Sequence, residues 1–75
     1  MISNTLIEFV KNQQYLVIDK YQSSYTFSSL REMSLFLNIN YSTISKKLTP
    51  SSYCFCKSKK NDNEYYITKL HNNHN

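Results

Sequence analysis

The chain reads as an α+β domain, a helix-turn-helix flanked by a small antiparallel β-sheet with an amphipathic helix ahead of it. Three observations predict this. Residues 27–48, FSSLREMSLFLNINYSTISKKL, hold two apolar sets at helical spacing, broken by Asn-Ile-Asn. Residues 15–19, 25–27, 53–57 and 64–70 are short aromatic and β-branched runs separated by polar, turn-like tracts such as KYQSS and KSKKNDN. The opening MISNTLIEFVKNQQ places Ile2, Leu6, Phe9 and Val10 at helical spacing, with Ser3 or Asn4 as cap and Glu8 on the other face. The organisation is therefore a helical segment over residues 1–14, the helix-turn-helix domain over 15–70 and a polar tail, HNNHN, over 71–75.

The first segment is expected to cover the core or to dock a larger protein partner. Its polar face is not strongly basic, which argues against a helix lying on a membrane surface, and it is too short to span a bilayer. It also lacks the basic start, long apolar run and cleavage site of a secretory signal. An intracellular, non-secreted protein without a membrane partner is expected. Lys11 alone makes a poor transit peptide, and an organelle-encoded protein would need none.

In the central stretch, Ser29 followed by Glu32 reads as a capping box, each side chain satisfying the other residue's free backbone N–H. A helix then starts near Leu30, with Leu30, Met33, Ser34 and Leu37 inward; Ser34 is the small residue that lets a second helix approach. Asn38 ends it, because asparagine accepts the left-handed conformation better than any residue but glycine, and the chain has no glycine. Ile39 plugs the turn. The second helix runs from Tyr41 or Ser42 to Leu48, with Ile44 and Leu48 inward and Pro50 blocking continuation. Tyr41, Ser42, Thr43, Ser45, Lys46 and Lys47 are left outward.

An ordinary helical hairpin would need the same inward residues, so the outward ones and the charge decide between scaffold and nucleic-acid contact. Short hydroxyls beside lysines suit phosphate oxygens and base edges. Residues 1–41 carry three basic and three acidic side chains, whereas residues 42–75 carry six lysines against Asp62 and Glu64, so the whole formal +4 lies from the second helix onward. A neutral half beside a basic half is an electrostatic footprint for a polyanion. Lys57, Lys59 and Lys60 make the loop over 57–63 a candidate phosphate clamp.

Seventy-five residues give room for one small domain with net stability on the order of 3–5 kcal/mol, and none for a nuclease or polymerase core. Asn, Lys, Ile, Tyr and Phe number 34 while Gly, Ala, Arg and Pro number 2, the bias an AT-rich coding sequence produces, as in mitochondria and some phages. Without alanine or tryptophan, the seven tyrosines and four phenylalanines are expected to supply much of the buried area.

Cys54 and Cys56 would share a strand face, but structural zinc sites space cysteines by two to four residues, and His71 and His74 sit in a tail without apolar residues. Reduced, partly buried thiols are expected, with no metal and no cofactor, since a bridge between such near neighbours strains its geometry. The five acids are scattered, neither histidine has an orienting partner, and no glycine is present to build a phosphate loop. A non-catalytic chain follows.

The order of these parts resembles the nuclease-associated modular DNA-binding domains found at the C-terminal end of homing endonucleases, notably of GIY-YIG type, in organelle introns and phages. The resemblance spans roughly residues 15–70 and rests on FSSLREMSLFLNI, NYSTISKKL and EYYI. It implies sequence-tolerant anchoring of duplex DNA beside a cleavage domain, with the helix from Tyr41 as recognition helix. The chain departs from the pattern in having no cleavage domain and in carrying Asn38 where such turns usually have glycine. The site expected is Tyr41, Ser42, Thr43, Ser45, Lys46 and Lys47 with Lys57, Lys59 and Lys60. The alternative is a small structural RNA-binding protein, such as a mitochondrial ribosomal component, in which the basic loop holds rRNA phosphates and Tyr53, Tyr65 or Tyr66 stack on splayed bases.

Overall fold

The computed structural model describes residues 3–70. The chain order is α1 (Asn4–Asn12), β1 (Tyr15–Asp19), β2 (Ser24–Phe27), α2 (Leu30–Leu37), α3 (Tyr41–Leu48), β3 (Tyr53–Lys57) and β4 (Glu64–Lys69). The strands form one antiparallel sheet in the order β2-β1-β4-β3. The fold is α+β, as the sequence predicts.

Topology explains where the helices lie. Each hairpin pairs consecutive strands, and β1 against β4 joins the hairpins at the centre. This leaves β2 and β3 at opposite edges, so the chain between them must cross three interstrand gaps, roughly 14 Å. Helices α2 and α3 make that crossing on one face of the sheet. Val17 pairs with Ile67, which pairs with Cys54, and this row meets Met33, Leu37, Ile44 and Leu48 from the helices. Ile39 and Cys56 complete the core.

The aromatic core that composition led us to expect does not form. None of the rings is among the buried hydrophobic residues; Tyr15, Phe27 and Tyr65 pack only against the rim. Aliphatic, thioether and thiol side chains fill the space between helices and sheet, while Tyr15 and Tyr65 stay half-buried at its margin, where a tyrosine can keep its hydroxyl in water. Helix α1 has no buried residue, so of its two expected roles it does not cover this core.

The turns follow their local chemistry. Asp19 Oδ1 accepts from the backbone N–H groups of Tyr21 and Ser23 at 2.9 and 3.0 Å, closing the β1–β2 turn, where Gln22 takes a φ of 70°. Ser29 Oγ accepts from Glu32 N–H at 3.1 Å, one half of the expected capping box. The other half differs, since the Glu32 carboxylate accepts from the Ser28 hydroxyl at 3.0 Å. Asn38 adopts φ 58° and ψ 40°, and its N–H and that of Ile39 both reach the Ser34 carbonyl. Asn40 then caps α3, its Oδ1 accepting from Ser42 N–H at 2.8 Å.

Candidate nucleic-acid interface

Helix α3 is eight residues long and buries Ile44 and Leu48. At 100° per residue, Ser42, Thr43 and Lys46 fall opposite that stripe, while Tyr41, Ser45 and Lys47 lie on its flanks. Burial follows this division: Ser42, Thr43, Lys46, Lys47 and Tyr41 are exposed, and Ser45 is half-buried. Two outward groups are already engaged. The Ser42 hydroxyl donates to Asn40 Oδ1 at 2.7 Å, and the Lys47 ammonium donates to the Phe55 carbonyl at 3.2 Å.

The β3–β4 loop is built around Ser58, which is fully buried. Its N–H donates to the Asn63 carbonyl and its carbonyl accepts from Asp62 N–H, both at 2.8 Å, with Asp62 at φ 59°. This closes the loop tightly and turns the lysines on either side of Ser58 outward. Lys57 pairs loosely with Asp62 at 3.7 Å, both side chains largely in solvent, so the pair costs little to open. Lys59 and Lys60 are exposed.

The fold brings the loop and the helices together. A cleft is lined by Asn38, Ile39 and Asn40 from the α2–α3 turn, Thr43 from α3, and Lys57 and Lys59 from the loop. Of the sequence-predicted site residues, Thr43, Lys57 and Lys59 share this cleft; Tyr41, Ser42, Ser45, Lys46, Lys47 and Lys60 are not part of its lining. From the sequence Asn38 is expected only to end the first helix and Asn40 carries no expectation, yet both residues line the cleft. The available signal was that both are amides flanking the predicted turn, hence donors as well as conformers.

Cys54 and Cys56 are free and buried on the inner sheet face, with sulfurs 3.6 Å apart. Burial first, then the hydrogen bond and charge of Cys56, push the Cys54 thiol up to about 12, with the Lys47 ammonium opposing. A thiol so placed stays protonated and unreactive near neutral pH. Among the described residues no three His, Cys, Asp or Glu side chains gather to hold a metal, and His71 and His74 lie outside those residues. Among the same residues no helix is long and apolar enough to cross a membrane.

Two helices joined by a three-residue turn thus lie on the sheet with a lysine-bearing loop beside the turn. Residues 14–48, covering β1, β2, α2 and α3, match the family model of the NUMOD1 domain, a nuclease-associated modular DNA-binding domain and not a catalytic one. The match includes FSSLREMSLFLNI and NYSTISKKL and stops before β3, the basic loop and EYYI. Neither a curated protein nor a solved structure shows significant similarity to the chain.

Proposed function

We propose that the chain is a non-catalytic module that anchors duplex DNA, with α3 as the recognition helix of a helix-turn-helix and the loop over residues 57–60 on the phosphate backbone. The cleft carries this reading: Thr43 and the turn amides of Asn38 and Asn40 share one concave surface with Lys57 and Lys59. Side chains able to meet base edges thus stand beside cations able to meet phosphates, the division of labour that groove recognition requires. The NUMOD1 match supplies the nucleic-acid class for the helical half of that surface. By the same reading the module works beside a cleavage activity supplied elsewhere, as in GIY-YIG homing endonucleases, and the AT-rich composition favours a mitochondrial or similar AT-rich genetic compartment.

Competition between duplex DNA and structured RNA tests it. Duplex DNA is expected to win. Thr43→Ala should reduce discrimination among duplex sequences, by about 1–3 kcal/mol for a lost base contact, more than it reduces overall affinity. Lys59→Ala should weaken every duplex alike. RNA winning with Thr43→Ala silent would overturn the reading, because an A-form major groove is too narrow for α3 and binding would then rest on tyrosines and the loop.

A further inference from the structure

The cleft between the α2–α3 turn and the β3–β4 loop is lined by two lysines, two asparagines, a threonine and Ile39, and by no acidic residue. Its volume is about 240 Å³, below the roughly 300 Å³ at which pockets for drug-sized ligands begin. It therefore takes a small group and not a cofactor. A concave lining of cations beside neutral hydrogen-bonding residues focuses a positive potential and suits an oxyanion.

One acid reaches these cations from outside the lining. Asp62 Oδ1 lies 3.7 Å from Lys57 Nζ. The loop does not depend on that contact. Asp62 is placed by its backbone, whose N–H donates to the Ser58 carbonyl at 2.8 Å with φ at 59°. The two side chains stay 58% and 85% exposed, so their pairing contributes little in water. Glu64 stands opposite Lys57 in the β3–β4 register, yet among the described residues only Asp62 forms an ion pair with it.

We infer that the lysine wall of this cleft is a site for a single phosphate group and that Asp62 is its built-in competitor. The carboxylate neutralises Lys57 in the free chain and yields it when a phosphate arrives. The inference rests on the reading of the cleft as part of a nucleic-acid surface, and adds to it the residue that opposes binding. Charge favours the exchange: a phosphate oxygen between Lys57 and Lys59 meets two cations, whereas Asp62 pairs with Lys57 alone among the described residues. Displacing Asp62 returns to water a carboxylate that is already mostly in it. Every phosphate contact at Lys57 therefore costs the opening of one exposed ion pair, and that cost is independent of the bases.

Titration of the full chain with inorganic phosphate, followed by backbone amide NMR shifts, tests the site without any base or groove. Shifts should centre on residues 57–59 and, across the cleft, on residues 38–40. Asp62→Asn removes the carboxylate and keeps a residue that accepts the left-handed backbone. It should lower the phosphate dissociation constant about two- to fivefold, the weight of an exposed ion pair. Glu64→Gln also removes one negative charge, so it reports the general field, and it should give less than about half that gain. Against duplex DNA, Asp62→Asn should tighten all sequences alike and steepen the salt dependence by up to about one unit. In a Lys57→Gln background its gain should shrink to that of Glu64→Gln. Shifts scattered over lysines outside the cleft would overturn the inference, as would equal gains from Asp62→Asn and Glu64→Gln, or shifts that acetate reproduces at matched ionic strength. Because inorganic phosphate has no bases, these results decide the site whether duplex DNA or RNA binds the chain more tightly.

Discussion

Lys47 in the last turn of α3 donates to the carbonyl of Phe55 on edge strand β3, across 3.2 Å. An edge strand presents unpaired carbonyls, and a lysine laid over one blunts the edge while joining helix to sheet. The neighbouring Lys46 points away from the core stripe and is exposed. The two lysines therefore differ in their surroundings although they are adjacent in sequence.

That difference predicts unequal binding losses. If Lys46, Lys47, Lys57, Lys59 and Lys60 neutralise four to five phosphates, log affinity for duplex DNA should fall against log salt with a slope of about −4. Lys46→Gln should bring that slope about one unit nearer zero and weaken all sequences alike. Lys47→Gln should change the slope less and lower unfolding stability by up to about 1 kcal/mol, as befits an exposed hydrogen bond. Salt titrations of both variants, with denaturant melts alongside, check this; equal slopes for the two would contradict the role given to Lys47.

The core makes a sharper prediction. Ile44 is fully buried between α2 and the sheet, so Ile44→Asp should unfold the domain, since burying the charge costs several kcal/mol in a protein with little to spare. Ser34→Ala should be neutral or mildly stabilising: the residue stays small, its carbonyl still accepts from Asn38 and Ile39, and only a local hydroxyl bond to the Arg31 carbonyl is lost. A thermal midpoint unchanged in Ile44→Asp would show that the residue is not where the helix pairing requires it.

The helices could be read from sequence because their signals are local. Ser29 with Glu32, and Asn38 in a chain without glycine, act within one turn of the backbone they organise. The site was only half legible for the opposite reason. Nothing in the spacing of Thr43 and Lys59 says that they line one cleft; that depends on β4 returning to the sheet centre beside β1 and carrying the loop back to the turn. The aromatic rings misled because their number says how much apolar surface exists, whereas strand register and helix placement decide which side chains face the core: Tyr53, Phe55 and Tyr66 fall on the outer side of the sheet.

Asn38 should separate backbone from side-chain function. Its left-handed φ of 58° is strained for a β-branched residue, so Asn38→Val should destabilise by roughly 1–2 kcal/mol. Asn38→Gly should hold or raise the thermal midpoint, because glycine takes this conformation without a Cβ penalty. Yet Asn38→Gly also removes an amide from the cleft wall. Loss of duplex affinity in a variant of unimpaired stability is the expected result; affinity unchanged in Asn38→Gly would confine the residue to its turn.

Cys54 sets a limit on stability at high pH. Its thiol is pushed from an ordinary 9.0 up to about 12 in the folded chain, chiefly by burial. Above pH 9 the unfolded chain releases this proton while the folded chain keeps it, so the unfolded state binds fewer protons and stability falls as pH rises. The contribution is intact below about pH 9 and is lost progressively on the way to about 12. Denaturant melts between pH 8 and pH 11 should therefore show a decline that Cys54→Ala softens, once that variant's lower stability at pH 8 has been subtracted. Thiol alkylation at pH 8 should be slow in the native protein and fast in denaturant. Rapid native labelling of Cys54, or an alkaline decline identical in Cys54→Ala, would place the thiol in water and not on the inner face of the sheet.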